Sequence, residues 1–284
     1  GSLADTFTLA DGAVPAASIN GAGGIDHADL SAWTTAVDLN LQASTLSGAS
    51  FASVESFTAG TGGGTITGEH ADTSWTVNAP DAGVVGSIAF DGFTTLSGGS
   101  GDDEFTISGL GSVTGSINGG GGWNTLTGPD TGWVFTINAA DAGSATGIGA
   151  FASIQNITAG VGDDSFVFGA TGQITGTING AAGTDTLDLA ALLTPITVDL
   201  EASNATATGG FTGLETFIAG GTATLRGSNI GTTWTISGSN AGTAGSVAFQ
   251  GFRSIEGGSG DDTFVFGPAG SLAGTLDGGA GSDA

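Results

Sequence analysis

The sequence predicts an all-β protein, a parallel β-helix or β-solenoid, and three observations carry that expectation. The chain repeats itself at 159 residues: Asp5, Phe7, Ile19, Asn20, Gly21 and Asp26 recur as Asp164, Phe166, Ile178, Asn179, Gly180 and Asp185. In the same way Trp75, Phe90, Phe93 and Phe105 recur as Trp234, Phe249, Phe252 and Phe264. A finer period of about 20 residues runs inside the longer one, as expected of stacked supersecondary units. Glycine supplies 56 of 284 residues, with abundant Thr, Ser, Val, Ile and Phe between, a composition of short strands and tight turns. Runs between glycines are too short for amphipathic helices.

The finer period is set by two phrases. One reads G-G-x-G-x-D-x-U, with U large and apolar. It is complete at Gly98–Phe105 and Gly257–Phe264, and it has Ala for the first glycine at Ala159–Phe166. It has Asn124 for the aspartate at Gly119–Leu126 and Ala181 for the second glycine at Gly180–Leu187. Degenerate copies begin at Gly21, Ala59 and Ala219, and another starts at Gly278. The second phrase is Phe followed at three-residue intervals by two apolar residues: Phe51-Val54-Phe57, Phe90-Phe93-Leu96, Phe151-Ile154-Ile157, Phe211-Leu214-Phe217 and Phe249-Phe252-Ile255. Fixed offsets of this kind mark equivalent places in a stacked coil. Each coil then pairs its strands with the next one about 4.8 Å away, and like residues stack into ladders. About 14 coils of about 20 residues would make a single continuous rod of roughly 65–70 Å on that spacing. Residues 1–284 are expected to be one solenoid segment of a longer protein, with copies at 5–163 and 164–284. A β-sandwich shares the short strands, but does not explain glycines and aspartates in phase.

Charge narrows the function. Asp and Glu number 27 against two arginines, Arg226 and Arg253, with no lysine, for a formal net charge of −25. Such a surface repels nucleic acid and anionic membranes and attracts divalent cations. Cysteine is absent, which removes disulfides and thiolate metal sites. No apolar run is long enough for a membrane-spanning helix.

The phrases at Gly98–Phe105 and Gly257–Phe264 resemble the calcium-binding nonapeptide of the RTX family of bacterial exported toxins, hydrolases and giant adhesins. The longer phrases at 178–187 and 249–266 resemble repeats of very large bacterial surface proteins. The resemblance implies calcium held between successive turns on one edge, where glycines aim carbonyl oxygens inward and aspartates add charge. It selects pairs one coil apart: Asp5 with Asp26, Asp103 with Asn124, Asp164 with Asp185, and Asp262 with Asp283. Asp102, Asp163 and Asp261 add a carboxylate to the first turn of a pair. The chain departs from the family in having longer coils, only some of which carry a motif. The other reading of these aspartates is that they cap turns by accepting backbone N–H groups.

The expected function is therefore that of a calcium-stabilised structural module of a large secreted or cell-surface bacterial repeat protein, extracellular in location. It would serve as a rigid stalk, spacer or filament in adhesion. Its partners would be calcium and surface or matrix components, or like chains end to end, with neither nucleic acid nor membrane insertion. Enzymatic activity is not expected. A polysaccharide lyase or hydrolase is the alternative, and the acids it needs fall in the repeat turns. Another alternative is a sugar-binding aromatic patch such as Trp123 with Trp133. His27 and His70 lack partners at catalytic spacing, and Trp75 and Trp234 are expected to stack in ladders.

Overall fold

The computed structural model describes residues 1–14 and 18–284, and all of its regular structure is β. No helix among the described residues is long and apolar enough to cross a membrane. The chain packs as two compact units, residues 1–129 with 144–154, and residues 130–143 with 155–284.

The first unit is a β-solenoid in which the chain passes alternately through two stacks of strands. One stack begins with the parallel strands Thr6–Thr8, His27–Asp29 and Ser56–Thr58, so that Phe7, Ala28 and Phe57 lie in register. The other contains Val37–Asn40, Gly64–Thr67, Thr95–Gly99 and Val113–Gly120, with Leu39, Ile66, Leu96 and Ile117 in register. Along each strand, alternate side chains point inward, giving patterns such as buried Gly64 and Ile66 beside half-exposed Thr65 and Thr67. Phe57, Ile66, Phe93, Leu96, Phe105 and Ile117 are fully buried between the stacks.

The second unit is built by the same rule. Val134–Ala139, Ser165–Phe168, Thr186–Asp188 and Thr216–Ile218 align Phe135, Phe166, Leu187 and Phe217. Ile196–Asp199, Ala223–Arg226, Ser254–Glu256 and Leu276–Asp277 align Val198, Leu225, Ile255 and Leu276.

Stacking gives the aromatic ladders their geometry. Trp75 lies on Phe105 with centroids 5.3 Å apart and planes 20° apart. Phe135 lies on Phe166 at 5.2 Å and 9°, and Trp234 on Phe264 at 6.0 Å and 18°. The middle residue of each Phe-x-x-U-x-x-U phrase (Val54, Phe93, Ile154, Leu214, Phe252) is buried where the chain turns from one stack to the other. The phrase thus supplies one inward residue to each stack and one to the corner between them.

The fourteen uniform coils expected from the 20-residue beat are not matched. Some steps between stacked residues are 21, as from Phe7 to Ala28, Leu96 to Ile117 and Phe105 to Leu126. Others are longer, 27 from Leu39 to Ile66 and 30 from Ile66 to Leu96 or Trp75 to Phe105. The chain is therefore used up in fewer turns. Much of the extra length folds into antiparallel meanders. Ser74–Ala79, Ala82–Val85 and Ile88–Asp91 form one, and Thr233–Gly238, Ala241–Ala244 and Val247–Gln250 form its counterpart in the second unit. Each meander occupies three places in a stack, and its middle strand runs against the others. Ser47 and Gly48 join the antiparallel strands Thr45–Leu46 and Ala49–Ala52 with φ of 48° and 92°, the left-handed pair that closes a two-residue hairpin.

Candidate functional site: the aspartate ladder

The repeated G-G-x-G-x-D turns lie where the chain leaves one stack for the other, and stacking sets acids 21 residues apart on successive turns. Each pair is joined by a hydrogen bond from the earlier backbone to the later side chain. Asp5 N–H donates to Asp26 Oδ1 at 2.7 Å, and Asp103 N–H to Asn124 Oδ1 at 2.9 Å. Asp164 N–H donates to Asp185 Oδ1 at 2.7 Å, and Asp262 N–H to Asp283 Oδ1 at 3.0 Å. The ladder continues to neighbouring rungs. Thr73, Trp133 and Thr232 donate their N–H groups to Oδ1 of Asp103, Asp164 and Asp262.

The doublets divide the work between an inner and an outer acid. Asp103, Asp164 and Asp262 are buried, as are Asp26, Asn124 and Asp185 in the single-acid turns. Asp102, Asp163 and Asp261 are exposed, and their Oδ1 atoms accept from the N–H groups of Trp123, Thr184 and Ser282 at 2.7, 2.8 and 2.8 Å. In each unit, inner and outer side chains thus both bind the backbone of a neighbouring turn.

Sequence reasoning missed several members. Glu55 and Glu215 accept the N–H groups of Asp26 and Asp185 through Oε2, each at 2.9 Å. Asp72 accepts Asp102 N–H at 2.9 Å. Asp81 and Asp141, both at positive φ, accept the N–H groups of Thr114 and Thr175 at 2.7 and 2.8 Å. The glutamates had a signal: Glu55, Gln155 and Glu215 each follow the middle apolar residue of the Phe-x-x-U-x-x-U phrase.

The glycines make room for the acids. A Cβ on Gly98 would overlap Asp103 Oδ2 and the carbonyl oxygen of Gly119, and one on Gly257 would overlap Asp262 Oδ2 and the carbonyl oxygen of Gly278. Gly24, Gly183 and Gly281, two residues before the single acids, take φ of 128°, 147° and 127°, where side chains are strained. The buried Oδ2 atoms of Asp26, Asp103, Asp164, Asp185 and Asp262 have no hydrogen-bond partner. Burial pushes the Asp103 carboxyl up to about 6, with the neighbouring charges of Asp72 and Asp102 acting the same way against the N–H bond from Thr73. Asp164 and Asp185 are raised too, first by burial.

Calcium takes six to eight oxygen ligands. One oxygen of each inner carboxylate is committed to N–H groups. The turn around the other leaves no space for even a Cβ on Gly21, Gly98, Gly180 or Gly257. Among the described residues, no three Asp, Glu or His side chains converge to hold a metal ion. As placed, the paired acids cap the backbone of neighbouring turns.

The other chemistry-bearing residues are dispersed. His27 Nδ1 lies 3.0 Å from Ser56 Oγ, its register partner one strand on, and His70 Nδ1 lies 2.9 Å from Ser100 Oγ. Trp133 is buried against Phe135, and Trp123 is half-exposed. Arg226 is paired with Glu256 at 2.6 Å. Leu41, Thr73 and Val85 help line a cleft of about 430 Å³ in the first unit, and their counterparts Leu200, Thr232 and Ala244 help line one of about 430 Å³ in the second. Glu69 and Asp72 of the first cleft are replaced by Ser228 and Gly231 in the second. The cleft comes with the meander and carries no constant set of reactive groups. No family model, curated protein or solved structure matches this chain.

Proposed function

We propose that this chain is a structural β-solenoid module, a spacer within a large secreted or cell-surface bacterial repeat protein that serves adhesion. One observation carries the reading: the repeated acidic side chains, the strongest chemical signal in the sequence, bond to the backbone of neighbouring rungs. A glycan-cleaving enzyme would instead need two carboxyls free to act as acid and as base or nucleophile on either side of a bound sugar. The acidic surface and the shortage of basic residues also favour contact with the aqueous exterior over nucleic acid or anionic lipid.

The test combines incubation with pectate and alginate and thermal unfolding in EDTA and in calcium. The expected result is no cleavage of either polymer and a folded protein in EDTA. Cleavage overturns the structural reading. Unfolding in EDTA that calcium reverses would restore the ion to the acidic turns and overturn the assignment of those turns as self-sufficient caps.

A further inference from the structure

The duplication provides two versions of the meander cleft, and they differ in charge. Each has a volume of about 430 Å³, in the size range of small-ligand sites. The hydrocarbon of the first cleft comes from Leu41, Phe51, Val85 and Ile88, of which Val85 is buried and the others half-buried. Glu69 and Asp72 line the same cleft, and both are exposed. Asp72 is anchored there, because its Oδ1 accepts the Asp102 N–H at 2.9 Å. The second cleft keeps apolar residues as Leu200, Ala244 and Val247, and has Ser228 and Gly231 where the first has its acids. A Cβ on Gly231 would overlap the carbonyl oxygen of Asp261, so that cleft has no room for a side chain at this place. The meander therefore forms with or without the two carboxylates. The first unit contains no lysine or arginine, so no such side chain of its own neutralises them.

We propose that the cleft of the first unit binds a small organic cation, a primary ammonium carried on a hydrocarbon body. An ammonium has three N–H donors and no acceptor, and carboxylates are its strongest partners. Two acids suit one such group. A metal ion asks for more ligands, and among the described residues no three acidic or histidine side chains converge on one. Leu41, Phe51, Val85 and Ile88 take the hydrocarbon body out of water, and their low polarity strengthens the ionic contact beside them. An inorganic cation gains nothing from those walls, and an anion is repelled by the acids. The net charge of −25 draws cations to the whole chain, so it acts on both clefts. Glu69 and Asp72 are what distinguish the first from the second.

The probe is phenethylammonium chloride, titrated in about 0.15 M sodium chloride to screen the long-range field, with phenethyl alcohol as its uncharged counterpart. Amide NMR spectra of the whole chain should show saturable shifts at Thr73, Ser74, Gly86 and Ser87, and none at Thr232, Thr233, Gly245 and Ser246. The alcohol should bind at least about tenfold more weakly, and the double variant Glu69→Gln with Asp72→Asn should lose at least the same factor for the ammonium. Both substituted side chains are exposed, and Asp72→Asn keeps an oxygen for the Asp102 N–H, so the fold is retained. No saturable shift in the first cleft, equal shifts in both clefts, equal binding of alcohol and ammonium, or undiminished binding by the double variant would each overturn the proposal. The site goes beyond the spacer reading and does not rest on it. Cleavage of pectate or alginate would remove that reading and leave this one standing, and a first cleft that ignores the ammonium would do the reverse.

Discussion

At the scale of single residues, Asp103 illustrates how one side chain can cap a turn and carry a pH dependence. Its Oδ1 takes the Thr73 N–H at 3.0 Å, which favours the charged form. Burial and the nearby Asp72 and Asp102 outweigh that bond and bring the carboxyl to about 6. The folded value lies above the ordinary unfolded one, so the stability this group contributes is fully present below about pH 4 and is lost as pH rises through about 6. Asp103→Asn keeps an oxygen for Thr73 and removes the titration. We predict that urea midpoints of the variant fall less steeply than those of the parent across that window. A steeper fall in the variant would contradict the assignment. The site was legible at this scale because the turn residues recur at fixed offsets. The partners at Glu55 and Glu215 were less so, because bonds between residues 29 and 30 apart depend on the length of the intervening step.

At the scale of elements, the aromatic ladders do the packing that short strands cannot do alone. A three- or four-residue strand has few inward side chains, so each must be large and must meet its counterpart on the next rung. Trp75 and Phe105 do this in the first unit, Trp234 and Phe264 in the second. Trp75→Ala is predicted to cost about 3–5 kcal/mol, read as a lower denaturant midpoint. Trp123→Ala, at a half-exposed position, is predicted to change stability by less than about 0.5 kcal/mol. Equal losses in the two variants would refute the ladder. The meanders were not legible. Ala82–Val85 and Ala241–Ala244 are short stretches of Ala, Gly, Val and Thr, the same residues that fill turns, and nothing in their composition marks an antiparallel strand. The sequence beat therefore read as regular coils where the chain inserts hairpins.

At the scale of the whole molecule, charge is the dominant property. A net charge of −25 with no lysine means that folding concentrates like charges, and screening should relieve part of that cost. Melting temperature is predicted to rise with sodium chloride between about 0.01 and about 0.5 M, where the Debye length falls from about 30 Å to a few ångströms. A flat or falling profile would show that the ladder bonds compensate the repulsion locally. Comparing the profile with magnesium and calcium at equal ionic strength separates screening from binding.

The sequence by itself determined the all-β class, the repetition and the turn positions, while the pairing of acids 21 residues apart came from the family resemblance. These follow from local chemistry repeated in phase: glycine where the backbone needs positive φ or a carboxylate needs space, and apolar residues at alternate strand positions. Tertiary structure decided the number of turns, the hairpins inserted between them and what each carboxylate oxygen meets. An aspartate in a glycine-rich turn reads alike as a cation ligand or as a cap. Only the stacked neighbour shows that Oδ1 of Asp185 faces the N–H group of Asp164. That neighbour lies a full turn away along the chain, and its position depends on how many residues the turn consumes.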